Sequence, residues 1–263
     1  MIAPATDPVG GGIVEELAAL RFDYIELSLR DLVALPASAQ GRLGDRLLRA
    51  GLACEACNNF FPPEIRLTGP AADLPAALRF AEAAFAVAGR LGVATIIFGS
   101  AGARNVPAGF SPDAARDQLR ALLRMLGPCA EGHGITIALE HLHRGESNIL
   151  NTVAECWQLA QEVAHPRVRL LVDAYHLLRE KETPAILATV APAIAHVHVA
   201  QGTDRIFPAD TDADLADFFA HLRATGYAGR CSIEAQTGNF SADAARALRV
   251  CRELASGNPG SGP

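Results

Sequence analysis

Ile135-Thr-Ile-Ala-Leu-Glu140 alternates bulky side chains with small or polar ones and stops on a carboxylate. A period of two is the mark of a β-strand with two unlike faces. Ile135, Ile137 and Leu139 share one parity and are expected to pack outward, while Thr136, Ala138 and Glu140 point inward. Short apolar runs of the same kind recur at Phe22–Ser28, Leu52–Cys57, Ala94–Phe98, Arg169–Asp173, Ile194–Val199 and Arg230–Glu234, with a stub at Ile2–Ala5. Longer amphipathic stretches separate them. That alternation predicts βα units and a parallel sheet. Eight units in 263 residues with no linker point to one (β/α)8 TIM barrel over residues 1–256. A doubly wound sheet is the alternative. The Gly-, Pro- and Ser-rich tail, residues 257–263, is expected to be disordered.

Helix signals fill the gaps between strands. Ser111-Pro112 reads as an N-cap followed by proline, opening a helix to about Cys129. Thr152-Val-Ala-Glu155 is a capping box. Thr183-Pro184 repeats the cap-plus-proline device, Thr211 and Ser241 are cap candidates for the last two helices, and Gly226 is placed to end the first of those. The Ala-rich stretch from Asp73 to Arg90 reads as one long helix.

A barrel puts its chemistry at the C-terminal ends of its strands. Four strands finish on a potential ligand: Glu140, Asp173, His198 and Glu234. Parity sends Val172, Val197, Val199 and Ile233 outward and these four inward. Each carboxylate alone is satisfied by a bland role, capping a loop. Three of them converging inside a barrel are costly unless a cation neutralises them. Three oxygen ligands and one nitrogen suit one divalent metal ion: Mn2+ first, with Mg2+, Co2+ or Zn2+ as alternatives.

Composition sets the exclusions. With 23 Lys+Arg against 29 Asp+Glu the chain is acidic, net charge −6, which disfavours nucleic-acid partners. No run reaches the ~18 apolar residues of a membrane span, and no leader-like segment opens the chain, so the expected location is the cytoplasm. The six cysteines, scattered through apolar segments, read as reduced core thiols rather than a disulfide frame. Cys54-Glu-Ala-Cys57 has no partner pair to complete a metal knuckle. The only lysine, Lys181, sits in the exposed-looking run Arg179-Glu-Lys-Glu182, so imine chemistry is disfavoured. Gly10-Gly-Gly12 precedes a helix but lacks the Gly-Lys-Ser/Thr ending of a phosphate-binding loop.

Taken together, Glu140-His-Leu-His-Arg-Gly-Glu146 with Asn151-Thr152, Asp173-Ala-Tyr-His176, His196-Val-His198 with Arg205, and Ile233-Glu234 resemble the sugar isomerase/epimerase family with the xylose-isomerase-like barrel. The likeness is greatest to ketose 3-epimerases of the tagatose/psicose type and runs from about Asp23 to Glu234. The resemblance implies a divalent metal held by Glu140, Asp173, His198 and Glu234, and substrate contacts at Glu146, His176 and Arg205. It implies a small sugar or polyol-ketone substrate, and dimers or tetramers. The expected chemistry is proton abstraction next to a carbonyl through an ene-diolate, with Glu140 and Glu234 as the base and acid pair.

Departures and competitors remain. The loop Gln201-Gly-Thr-Asp204 is one residue looser than the epimerase spacing, and the first strand region is shorter. Dehydratases of the inosose or dehydroshikimate type share the metal site and differ in expelling hydroxide. Multi-zinc AP endonucleases need further histidines where Cys57-Asn58-Asn59, Phe98-Gly99-Ser100 and Asp204-Arg205-Ile206 stand. A sugar-binding barrel without turnover would be expected to lack one base, yet both glutamates are present. His196 reads as a core histidine, and His141 and His143 as loop residues.

Overall fold

Every apolar run from Phe22 onward forms a strand. In the computed structural model, residues 9–210 and 212–257 are described. The strands are β1 Tyr24–Ser28, β2 Ala53–Asn58, β3 Thr95–Phe98, β4 Thr136–Glu140, β5 Val168–Asp173, β6 Ile194–Val199 and β7 Arg230–Ile233. All neighbours pair in parallel and in chain order, with helices between them. This is the TIM-barrel arrangement. The stub Ile2–Ala5 and the tail from residue 258 lie outside the described residues.

Local signals place most helix starts. Ser111 accepts from the Ala114 N–H at the head of the helix Pro112–Gly132. Asp73 caps Leu74–Arg90. Thr152 caps Val153–Val163, but the Glu155 carboxylate reaches back to the Asn151 N–H rather than to Thr152. Three cap assignments need correcting. Asp212, not Thr211, caps Ala213–Ala224, and Thr211 is outside the described residues. Ser241 lies inside Phe240–Ser256, with its hydroxyl on Glu16. Thr183 accepts from the Ala185 N–H, and the helix begins only at Ile186. Gly226, in the left-handed region at φ 72°, follows the end of Ala213–Ala224 as expected.

Parity divides the core into two layers. Ile137, Leu139, Val172, Val197 and Val199 join the large cluster between strands and helices. Ala56, Ile97, Ala138 and Leu171 form a small cluster of their own inside the barrel. The alternation read from Ile135–Glu140 therefore holds. Lys181 is exposed, whereas the Glu180 carboxylate beside it is only 7% exposed and pairs with Arg144, so the run is not wholly solvated. All six cysteines are free, but Cys129 is exposed rather than in the core.

Among the described residues, β1 and β7 are the two ends of the sheet. Side chains bridge them. The Tyr24 hydroxyl lies 2.7 Å from Ser232 Oγ, and Ser232 donates to Glu26 at 2.6 Å. Arg230 also pairs with Glu55 on β2.

Candidate active site

Glu140 closes β4, Asp173 closes β5, His198 is the penultimate residue of β6, and Glu234 follows β7 directly. Asp173 and His198 are register partners. Ligand atoms from all four lie within 4.8 Å of one another. His198 Nδ1 is 3.0 Å from Glu234 Oε2 and 3.4 Å from Glu140 Oε1.

The three carboxylates are held differently. Asp173 Oδ1 accepts from the N–H groups of Tyr175 and His176, capping the helix Ala174–Arg179, while Oδ2 faces Arg205. Loop capping and site geometry are thus served by the same residue. Glu234 Oε1 accepts from Asn58 Nδ2 at 3.0 Å. Glu140 Oε1 is buried with no hydrogen-bond partner. Gly99 makes the approach of Glu140 feasible, since a Cβ there would sit 2.0 Å from Glu140 Oε2. Arg104, fully buried, donates to the carbonyls of Phe98 and Glu140 at 2.9 and 2.8 Å and so pins the ends of β3 and β4.

Electrostatics separates the two glutamates. Burial raises the Glu140 carboxyl, and the charges of Glu234 and Asp173 add to this against the pull of His198. Burial also acts on Glu234, but His198 and Arg205 outweigh it and hold the carboxyl well below the usual range. Burial alone would pull the His198 imidazole down, yet Glu26 and Glu234 raise it well above the ordinary histidine value. Three carboxylates, one of them with an orphaned buried oxygen, and one imidazole make a donor set that fits a hard divalent cation.

The expected substrate-side residues gather at one edge of this cluster. Arg205 Nη2 reaches Asp173 Oδ2 and Glu234 Oε2, and its Nη1 reaches Glu146 at 3.3 Å. The looser loop is absorbed by left-handed turns at Gly202 and Arg205 and by paired backbone bonds between Gln201 and Ile206. Its guanidinium also lies 4.9 Å from the Tyr175 ring centre.

His143, Glu146 and His176 also lie close enough to suggest a second metal site. Their hydrogen bonds argue otherwise. His176 Nδ1 accepts from the His143 N–H, and His143 Nδ1 accepts from the Gly145 N–H. A neutral ring that accepts at Nδ1 carries its proton at Nε2, so it presents a donor rather than a lone pair. His143 Nε2 faces Glu146 at 3.2 Å, and the buried His176 Nε2 has no hydrogen-bond partner. Burial, with Arg205 nearby, lowers the His176 pKa to about 2 and keeps it neutral.

His196 is the core histidine expected, bonded to Glu26 and Ser232. His141 and His143 are loop residues but buried ones, and His141 Nε2 accepts from the Asp173 N–H. Glu26, Asn58, Gly99 and Arg104 support the site without a sequence motif to announce them.

Fold and site together define a TIM-barrel protein with a metal-type ligand cluster at the C-terminal ends of its strands. The chain belongs to the xylose isomerase-like TIM barrel family, which it matches over residues 14–254. It is 25% identical to D-psicose 3-epimerase of Agrobacterium fabrum over 94% of this chain and 86% of that protein. It is 30% identical to L-ribulose 3-epimerase of Mesorhizobium japonicum over 43% of this chain, spanning 38% of that protein. It is 31% identical to 3-dehydroshikimate dehydratase of Pseudomonas putida over 46% of this chain, but only 21% of that longer protein. The solved structure of a D-psicose 3-epimerase in the presence of D-fructose superimposes with a TM-score of 0.83 at 20% identity, covering 93% of each chain. No helix among the described residues is long and apolar enough to cross a membrane.

Proposed function

We propose that this chain is a divalent-metal-dependent epimerase or isomerase of a ketose or related polyol-ketone. The observation that carries the reading is the buried Glu140 carboxylate, one oxygen unpartnered, gathered with Asp173, His198 and Glu234 at the strand ends. The psicose and ribulose 3-epimerase relatives support the substrate class.

Glu140, Asp173, His198 and Glu234 would hold the ion, with Mn2+ the first to test. Bound there, it supplies Lewis-acid polarisation of the substrate carbonyl. Glu234, kept ionised by His198 and Arg205, takes the carbon-bound proton beside that carbonyl. The electron pair left behind moves into the carbonyl to give the ene-diolate. Glu140, on the other face, serves as its acid partner and returns a proton there, inverting the centre. The reverse direction exchanges the two roles. Arg205 and the Nε2–H of His176 donate to substrate oxygens, and Glu146, oriented by His143, accepts from a hydroxyl. A second reading, dehydration of a dehydroshikimate-like ketone, begins with the same proton abstraction and is favoured by the Pseudomonas relative.

A ketose panel in D2O tests the reading. With Mn2+ present, deuterium should enter the carbon beside the carbonyl and an epimer should appear by NMR. Loss of water with no epimer from dehydroshikimate-type substrates would favour the dehydratase. No exchange with any substrate, or full exchange in Glu234→Gln, would sink the proposal.

A further inference from the structure

We infer that Glu26 is a positioning residue that aims Nδ1 of His198 at the ligand cluster, an inference that rests on the metal reading above. Glu26 sits on β1, is 3% exposed, and belongs to none of the recognised motifs. Three donors converge on it. His198 Nε2 lies 3.0 Å from Oε1 and 3.1 Å from Oε2, His196 Nε2 lies 3.1 Å from Oε2, and Ser232 Oγ donates at 2.6 Å.

A carboxylate only accepts, so the His198 nitrogen facing it must carry a hydrogen. Carboxylates face both ring nitrogens, so an ion among Glu140, Asp173 and Glu234 would take the place of the hydrogen on Nδ1, while the hydrogen on Nε2 stays with Glu26. Nδ1 faces Glu234 and Glu140. Glu26 therefore selects the tautomer and fixes the ring, as outer carboxylates do for metal-binding histidines. The same convergence of donors removes Glu26, His196 and His198 from consideration as a separate cation site, although their spacing would permit one. Glu26 is also tied through Ser232 and Tyr24 across the two ends of the sheet. One carboxylate thus serves both barrel closure and ligand aim, and the experiment must separate the two.

The test compares wild type, Glu26→Gln and Tyr24→Phe. Zn2+ and Mn2+ affinities are measured by calorimetry and melting of the metal-free proteins by circular dichroism. Glu26→Gln is expected to weaken binding by about 10–100-fold, because one amide cannot accept from all three donors. Tyr24→Phe loosens the seam without touching His198, and is expected to change melting but not affinity. Long-range 1H–15N spectra of the Zn2+-loaded wild type should show His198 bound through Nδ1 with a proton on Nε2. Equal affinities in wild type and Glu26→Gln would overturn the inference, as would equal weakening in Tyr24→Phe or binding through Nε2. A wild type that takes up neither ion overturns the metal reading itself and this inference with it. If Glu26→Gln does not fold, the wild-type spectrum still decides.

Discussion

Replacing Glu140 with Gln should make the metal-free protein more stable at alkaline pH. The Glu140 carboxyl is 6% exposed, faces like charges on Glu234 and Asp173, and is raised from 4.5 to about 7 in the folded chain. A carboxyl raised on folding contributes stability only while protonated. That contribution is intact below pH 4.5 and is lost as pH climbs through about 7. At about 1.4 kcal/mol per pH unit, the interval from 4.5 to about 7 costs the folded state roughly 3 kcal/mol at pH 8. Gln carries no charge and escapes this cost. Urea unfolding in EDTA should therefore give near-equal stabilities near pH 4.5 and a gap opening in favour of Glu140→Gln, toward roughly 3 kcal/mol at pH 8. Added Mn2+ should reverse the order, since wild type gains a ligand that the variant lacks. A gap that does not change with pH, or a variant less stable than wild type at pH 8 in EDTA, would refute the electrostatic account of the site.

Gly99→Ala places a methyl 2.0 Å from Glu140 Oε2, so the carboxylate must move by more than 1 Å, roughly the shortfall from ordinary contact. At least a tenfold loss of Mn2+ affinity by calorimetry is expected, and unchanged affinity would show that Glu140 does not bind the ion. Arg104→Met leaves the carbonyls of Phe98 and Glu140 without their donor, at about 1–3 kcal/mol each. Denaturant unfolding should show a loss of that order, and none would mean the clamp is idle. Asp173→Asn keeps an oxygen to cap Ala174–Arg179 but replaces the charge that faces the site. Metal affinity should fall while metal-free melting stays close to wild type; affinity equal to wild type would reduce Asp173 to a cap.

The convergence of Glu140, Asp173, His198 and Glu234 is legible because each stands at or next to the C-terminal end of a strand whose alternation fixes its side. Ile137 and Leu139 on one parity leave Glu140 no choice but the other. Supporting residues were not legible, because their partners are remote in the chain. Glu26 and His198 are 172 positions apart, and Asn58 and Glu234 are 176 apart. Arg104 reads locally as an ordinary helix-end arginine, and only the converging carbonyls of Phe98 and Glu140 reveal its task. Nothing in the sequence around Gly99 demands glycine, and that need appears only when the Glu140 side chain arrives. Sequence does not single out a cap where adjacent polar residues compete, as at Thr211 and Asp212. His143 and His176 needed three dimensions too, since their tautomers are set by backbone N–H groups from the loop after β4.

The lone lysine has a practical side. Lys181 is exposed and follows the short helix that Asp173 caps. An amine-reactive dye therefore finds one side-chain target in this chain, a single labelling point that needs no engineered cysteine.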